Sequence, residues 1–468
     1  MLIFNLFIAL IIPFVLGMAV ISALLRNKLI FFNFWERLAL YFSVGWGLHA
    51  ILMFLLSLGK VPLTFASLLL ADAVIIPAGL LFGLRFNFNK FQPVSINFNK
   101  FPFSFKLIGS LAMVVIALKI LFISWSAFIK PAFEPDIIRS YALGAKVIFE
   151  HKTTLMLHRF VGDKPPLPFL YQAWSAMGSR EWNDILLPLS HPFMYLSFLI
   201  IFYSALRRRF PPFHSLFSTL LWSTIPFLVF QAGTAYTDFP QAFYYSAATF
   251  YLFLFMQDFR QRTCLPAGRK EAAGAYLLTS ALLLGISVWI KRGSLLEAGI
   301  NIAVLTVFLI YARRSFEKKD WKTFLTAALL FISIIAPWLT YSQFETLKIF
   351  HPGPTHPIAT SSLIQPESHE IFQALLRNTF FEDNWHLLGV LFLFVLLLYP
   401  GTAFRPPQIF LLGVISLQFV FLFALFRSSA YFYQFILNET LLNRLTFHFI
   451  PVVLYYCAEV VGAGELKE

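Results

Sequence analysis

Residues 107–146 read LIGSLAMVVIALKILFISWSAFIKPAFEPDIIRSYALGAK. The run over 107–129 is apolar and long enough to cross a bilayer, since about 20 apolar residues span about 30 Å of hydrocarbon. It opens into a polar stretch that holds Glu134, Asp136, Arg139, Tyr141 and Lys146, and the next crossing is expected only near Ile185. Carboxylates and an arginine set just outside the bilayer, in a chain that is otherwise mostly hydrocarbon, point to chemistry at the membrane surface.

Working outward, runs of this kind recur along all 468 residues, of which 59% are hydrophobic and 13% charged. Mean hydropathy is +0.73. A soluble domain carries about 25% charged residues, so the charges here are too few to cover a water-facing surface. The expected class is all-α, a polytopic membrane protein. A transmembrane barrel is excluded, because barrel strands are short and alternate. The net charge of +13 sits in short clusters between apolar segments, such as 207–209 and 313–322. That pattern orients a protein in its membrane and does not indicate nucleic acid. Cys264 falls in a basic loop and Cys457 in an apolar helix, which gives neither a disulfide framework nor a metal cluster. The first segment, 2–25, lacks a basic n-region and reads as an uncleaved helix.

About thirteen crossings are expected, near 2–25, 38–59, 62–84, 107–128, 185–206, 214–231, 236–256, 276–290, 294–312, 323–342, 386–400, 407–426 and 445–462. Placing the basic loops 26–37, 85–106, 207–209, 260–270 and 313–322 and Arg405 inside agrees with strict alternation. The N-terminus is then outside and the C-terminus inside. The long polar loops 129–184 and 343–385 fall outside, together with the turn around Asp238, Lys291-Arg292, and 428–444. Three parts follow: an N-terminal three-helix membrane segment (1–86), a cytoplasmic basic linker (87–106), and a transmembrane core (107–468). The linker contains an internal echo, FNFNKFQPVSINFNKF (86–101). It reads as a low-complexity connector, with a headgroup-level segment as the alternative.

Residues 136–150 place Ile137, Ala142, Ala145 and Ile148 on one face, the spacing of an amphipathic helix lying along the membrane surface. Asp136 stands at its start. The plain account is an N-cap on free backbone amides, and the sharper one is a reactive carboxylate. In GDKPPLPFLYQAW (162–174), two prolines fix the backbone that carries Lys164, which suits a lipid phosphate or a snorkelling interface role. Asp238, in GTAYTDFPQAFYY (233–245), is a second outer acid with the same two readings. Lys291 and Arg292 end a helix on the outer side, against the positive-inside bias. They either complement the helix dipole or hold an anionic group. Arg427 and Arg444 are further outer cations. Histidines 151, 158, 191, 351, 356 and 386 show no metal-ligand spacing. No Walker loop or glycine-rich phosphate cradle occurs.

These pieces, in order and sidedness, resemble the membrane-embedded glycosyltransferases of the C-type fold. In particular they resemble bacterial relatives of the dolichyl-phosphate-mannose protein mannosyltransferases and of the lipid A aminoarabinose transferase. The resemblance is carried by DIIRSYALGAK, GDKPPLPFLYQAW, AYTDFPQAFYYSAATFYLF, KRGSLLEAG and LNRLTFHFIPVVLYY, and covers about residues 107–462. Two departures stand out: Glu134 precedes Asp136 by two positions where the family commonly has an adjacent pair, and Leu445 replaces a usual Tyr. The resemblance implies inverting transfer of a sugar from a polyprenyl-phosphate donor to a lipid, glycan or protein acceptor. The site faces the extracytoplasmic side of a bacterial inner membrane. It implies Asp136 as general base and Asp238 as a second catalytic acid, placing the acceptor or sugar or tuning the field. Glu134, Arg139, Tyr141, Lys164, Lys291, Arg292 and Arg444 are the implied substrate-binding set. A divalent metal serves some relatives, but no metal ligands are identified here. A transporter or flippase of a lipid-linked or anionic solute, and an O-antigen ligase or polymerase, are the alternatives.

Overall fold

A computed structural model describes residues 2–83, 103–162, 164–260, 267–349, 368–428, 436 and 440–465. The linker echo, His351, His356, Cys264 and residues 350–367 of the outer loop lie outside these residues. Among the described residues every regular element is helical. Each of the thirteen expected segments falls on helix. Among the described residues nine helices are long and apolar enough to cross a membrane, or up to eleven if each bent pair is one span, so the expected count of about thirteen is not confirmed.

The shortfall has local causes. The 214–231 segment is two helices, α9 (Pro212–Thr224) and α10 (Pro226–Ala232), meeting at 69°. Pro226 supplies no N–H and clashes with the preceding turn, so the helix breaks there. The helix before the C-terminus is likewise split into Thr440–Phe447 and Ile450–Glu465, bent by 44°. Leu388–Leu398, at 11 residues, is too short to span alone. Helix α11 (Asp238–Arg260) is long enough but carries Asp238, Gln241, Gln257 and Asp258. Nearly all of its length is buried against other helices, so it can hold polar groups that a lipid-facing helix could not.

Helix α11 is the axle of the molecule. Its far end reaches a pair of buried carboxylates. Glu36, in the first turn of α2 (Phe34–Leu58), takes Arg208 at 2.6 Å and Tyr251 at 2.7 Å. Glu459 takes Arg209 at 2.7 Å and Gln257 at 3.0 Å. Two of the three arginines read as orientation signals are therefore also structural ties. Helix α1 (Leu2–Leu25) crosses α2 in direct backbone contact. A Cβ on Gly17 would lie 1.8 Å from the Tyr41 carbonyl oxygen, and one on Gly45 would lie 1.7 Å from that of Pro13. Only glycines permit this approach. Trp174 donates to Ala9 O at 2.8 Å, docking these first helices on the rest.

At the opposite end, α4 (Phe103–Ile129) leads into the outer loop. One wide helical turn, Ile137–Ala142, continues as α5 (Leu143–His151). It buries Ile137, Ala142, Ala145 and Ile148 and exposes Lys146 and Glu150, the face expected. The segment 167–179, expected within the outer loop, is a 13-residue helix, α7 (Leu167–Ser179), with every residue buried. Its aromatic-rich sequence is short and shows no polar face, so neither spanning length nor amphipathic period reveals it.

Candidate functional site

Three connections assemble the site. Leu167 N donates to Trp289 O at 3.2 Å, which sets the Lys164-Pro-Pro turn against the end of α12 (Ala267–Val288). Gln172 Nε2 donates to Ala235 O at 3.1 Å, fixing the loop that leads into Asp238. The closing helix Thr440–Phe447 brings in Arg444 from the other end of the chain.

Arg444 is the centre. Its Nε donates to Asp238 Oδ2 at 2.9 Å, and a terminal guanidinium nitrogen donates to Asp136 Oδ2 at 2.6 Å. One planar side chain thus joins the two acids, a use suited to arginine and not to lysine. The guanidinium also lies over the Tyr236 ring, 5.0 Å from its centroid. Asp238 is fully buried, and its other oxygen accepts from Lys291 Nζ. Asp136 is 58% exposed. It makes no capping bond to the helix it starts, so the N-cap account fails and its carboxylate faces Arg444 and water. Lys164 Nζ donates to Ser140 Oγ and sits 5.4 Å from the Tyr141 ring centroid. Tyr141 is buried beside Thr237 and Asp238.

Burial sets the electrostatics of the cations. It pushes the Lys164 ammonium below the ordinary lysine value, with the Asp136 carboxylate opposing. The same desolvation lowers Lys291, against the pull of Asp238. Burial raises the Tyr141 phenol, and the Asp238 charge adds to the rise. Tyr236 is pushed up to about 12, burial again leading. These phenols stay protonated near neutral pH and remain donors.

The structure thus gathers Asp136, Asp238, Tyr141, Lys164, Lys291 and Arg444. It does not bring in all the expected residues. Arg139 points outward and is exposed, and of the Lys291-Arg292 pair it is Lys291 that reaches Asp238 while Arg292 is exposed. Glu134 is buried and turns to the other side, where it lines a cavity of about 500 Å³ with Lys119, Lys130 and His386. Its Oε1 has no hydrogen-bond partner among the described residues. His191, which shows no metal-ligand spacing, is buried against Tyr171 OH at 3.2 Å. His448, Glu297 and Gln241 were overlooked. His448 and Gln241 lie about one helical turn beyond Arg444 and Asp238, a spacing that places them near the same faces, whereas Glu297 is five residues past Arg292 and carries no such signal.

Among the described residues, no group of three or more His, Cys, Asp or Glu is placed to hold a metal ion. Both aspartates are already met by cations, a donor set that suits an anion and does not fit a divalent metal as it stands.

Among solved structures the chain is similar to ArnT from Cupriavidus metallidurans, a lipid A aminoarabinose transferase of the C-type glycosyltransferase fold determined in the apo state. The TM-score is 0.50 at 15% identity, and the match covers 75% of this chain and 59% of that one. The chain thus spans about three-fifths of the length of ArnT. What the likeness fixes is the fold, an all-α polytopic membrane protein of that architecture. No family model and no curated protein matches the sequence.

Proposed function

We propose that the chain is a membrane glycosyltransferase that moves a sugar from a polyprenyl-phosphate carrier to an acceptor hydroxyl, with inversion, at the outer face of a bacterial inner membrane. The observation that carries this reading is the bridge Asp136–Arg444–Asp238 with Lys291 and Lys164 beside it. It sets a solvent-reaching carboxylate next to a cluster of cations at the end of a helix bundle.

The roles follow from burial. Asp136 keeps one oxygen clear of Arg444 and reaches solvent, so it is the general base that takes the acceptor proton as the acceptor oxygen attacks the anomeric carbon. Asp238 has both oxygens engaged and no solvent access, which suits an electrostatic role: it holds Arg444 and Lys291 in place. Those two, with Lys164, stabilise the charge that develops on the departing carrier phosphate. Tyr141 and Tyr236 offer hydroxyls to the donor. Arg139 and Arg292 stand at the rim, where they steer anionic headgroups. A metal enters no step of this scheme.

The broken span Pro212–Ala232 favours the transporter alternative, because broken helices mark transport sites. The other broken pair, Leu441–Phe447 with Ile450–Glu465, carries Arg444, but the cluster gathers at the end of the bundle and not at mid-membrane depth, where transport sites lie, which weighs against it. Mass spectrometry of glycoconjugates from cells with and without the protein tests the proposal. Its loss should remove one sugar modification and leave that sugar accumulating on its polyprenyl phosphate. An unchanged glycoconjugate profile, with an anionic solute retained on one side of the membrane, would favour transport.

A further inference from the structure

Behind Asp238 lies a second set of polar side chains, fully enclosed. His448 sits on the turn between the two closing helices. Its Nδ1 is 2.6 Å from Glu297 Oε1, and its Nε2 is 3.4 Å from Asp238 Oδ1. Glu297, in the first turn of α13 (Ser294–Ala312), takes Gln241 Nε2 on its other oxygen. The His448 and Glu297 side chains are 3% and 6% exposed. The charged groups facing His448 are Glu297 from α13, Asp238 from α11, Lys291 from the α12–α13 turn at 3.5 Å, and Arg444 one turn back. The two acids favour a charged ring and the two cations oppose it. The cations, however, are already held by Asp238. Nε2 lies beside both Asp238 Oδ1 and the Lys291 ammonium; with that ammonium turned to Asp238, the ring supplies a donor to both carboxylates only when both nitrogens carry hydrogen. A buried Glu297 likewise needs a cation, and His448 is the one that touches it.

We propose that Glu297 and His448 are positioning residues. Glu297 holds His448 as an imidazolium, which braces Asp238 so that it presents Lys291 and Arg444 to the donor phosphate. The inference rests on the transferase reading. It involves no proton transfer during turnover: the ring acts by its charge and its two N–H donors.

The test is a pair of pH series on the full-length protein in detergent, wild type against Glu297→Gln and His448→Gln. Transfer should fall on the alkaline side as His448 loses its proton. Glu297→Gln removes the carboxylate that favours the imidazolium, so that limb should move to lower pH by about one unit, roughly a tenfold loss of kcat/KM at a fixed pH on the limb. His448→Gln does not titrate and should remove the limb while running slower at every pH. The Lys164 charge is also lost at high pH, but neither variant moves that step.

The second readout needs no substrate. A histidine charge favoured by the fold contributes stability at low pH that is lost as pH rises through the folded-state value. The melting-temperature gap between wild type and Glu297→Gln should therefore be widest at low pH and close on the alkaline side. If no transfer is found for any form yet this gap behaves so, the transferase reading fails and the bracing stands. A Glu297→Gln profile that matches wild type in both series overturns the inference. Should that variant not fold, Glu297→Asp is expected to fold and keep the limb in place, and a displaced limb there also overturns it.

Discussion

Replacing Arg444 by lysine probes the bridge most sharply. The guanidinium donates along two directions, to Asp238 at 2.9 Å and to Asp136 at 2.6 Å. An ammonium is a single point and cannot reach both acids from one place. It should stay with Asp238, which is buried and already set for cations, and release Asp136, which is 58% exposed. The stability cost is then small, because a pair with so exposed a partner is worth about 0–1 kcal/mol. The catalytic cost is larger. Asp136 loses the contact that aims it, and misplacement of about 1 Å can cost about 100-fold, which is about 2.7 kcal/mol of barrier at 1.36 kcal/mol per decade. Arg444→Ala goes further: Asp238 keeps Lys291 but loses a charged hydrogen bond worth about 1.5–3 kcal/mol. Transfer kinetics and thermal unfolding in detergent separate the two effects. Arg444→Lys should melt near wild type with kcat down about 100-fold, and Arg444→Ala should lose both. If Arg444→Lys turns over at the wild-type rate, the bridge does not orient the base and the reasoning is wrong.

Two further outcomes are expected. Burial lowers Lys164, so its charge is lost at a pH below the ordinary lysine range. Donor affinity should therefore weaken on the alkaline side, with KM rising while Lys164→Arg, which stays charged, holds it flat. An equal rise in both excludes Lys164 from phosphate binding. A cysteine placed at exposed Arg139 should react with a membrane-impermeant maleimide added outside intact cells. Protection there, with reaction only after lysis, would put the site on the cytoplasmic face.

The fold class was legible because bilayer thickness imposes a length on every lipid-facing helix, and that length can be counted in sequence. The segments that broke the count are those relieved of the constraint. Helix α11 is shielded from lipid and so carries acids and amides. Pro226 breaks a run that is apolar enough to pass as a single crossing. Of the site, Asp136, Asp238, Lys164 and Lys291 were legible because an ionisable residue near the membrane is costly and stands out. Arg444 stood out in sequence only as one of the implied substrate-binding cations, since only the fold shows that it joins two acids 206 and 308 positions away along the chain. His448 and Glu297 escaped for the same reason: each is unremarkable alone, and their meaning lies in a 2.6 Å contact across 151 positions. Arg139 and Arg292 show the converse, because a charge at the right offset in sequence can still stay exposed and outside the bridge.

The most direct measurement is sugar transfer from a polyprenyl-phosphate donor by reconstituted wild-type protein and by Asp136→Asn. The substitution keeps the size and a hydrogen-bonding oxygen toward Arg444 but removes the basic carboxylate. Loss of a general base costs about 10²–10⁴-fold, so the variant should still bind donor, melt near wild type, and lose at least about 100-fold in kcat. Transfer by Asp136→Asn at the wild-type rate would contradict the account.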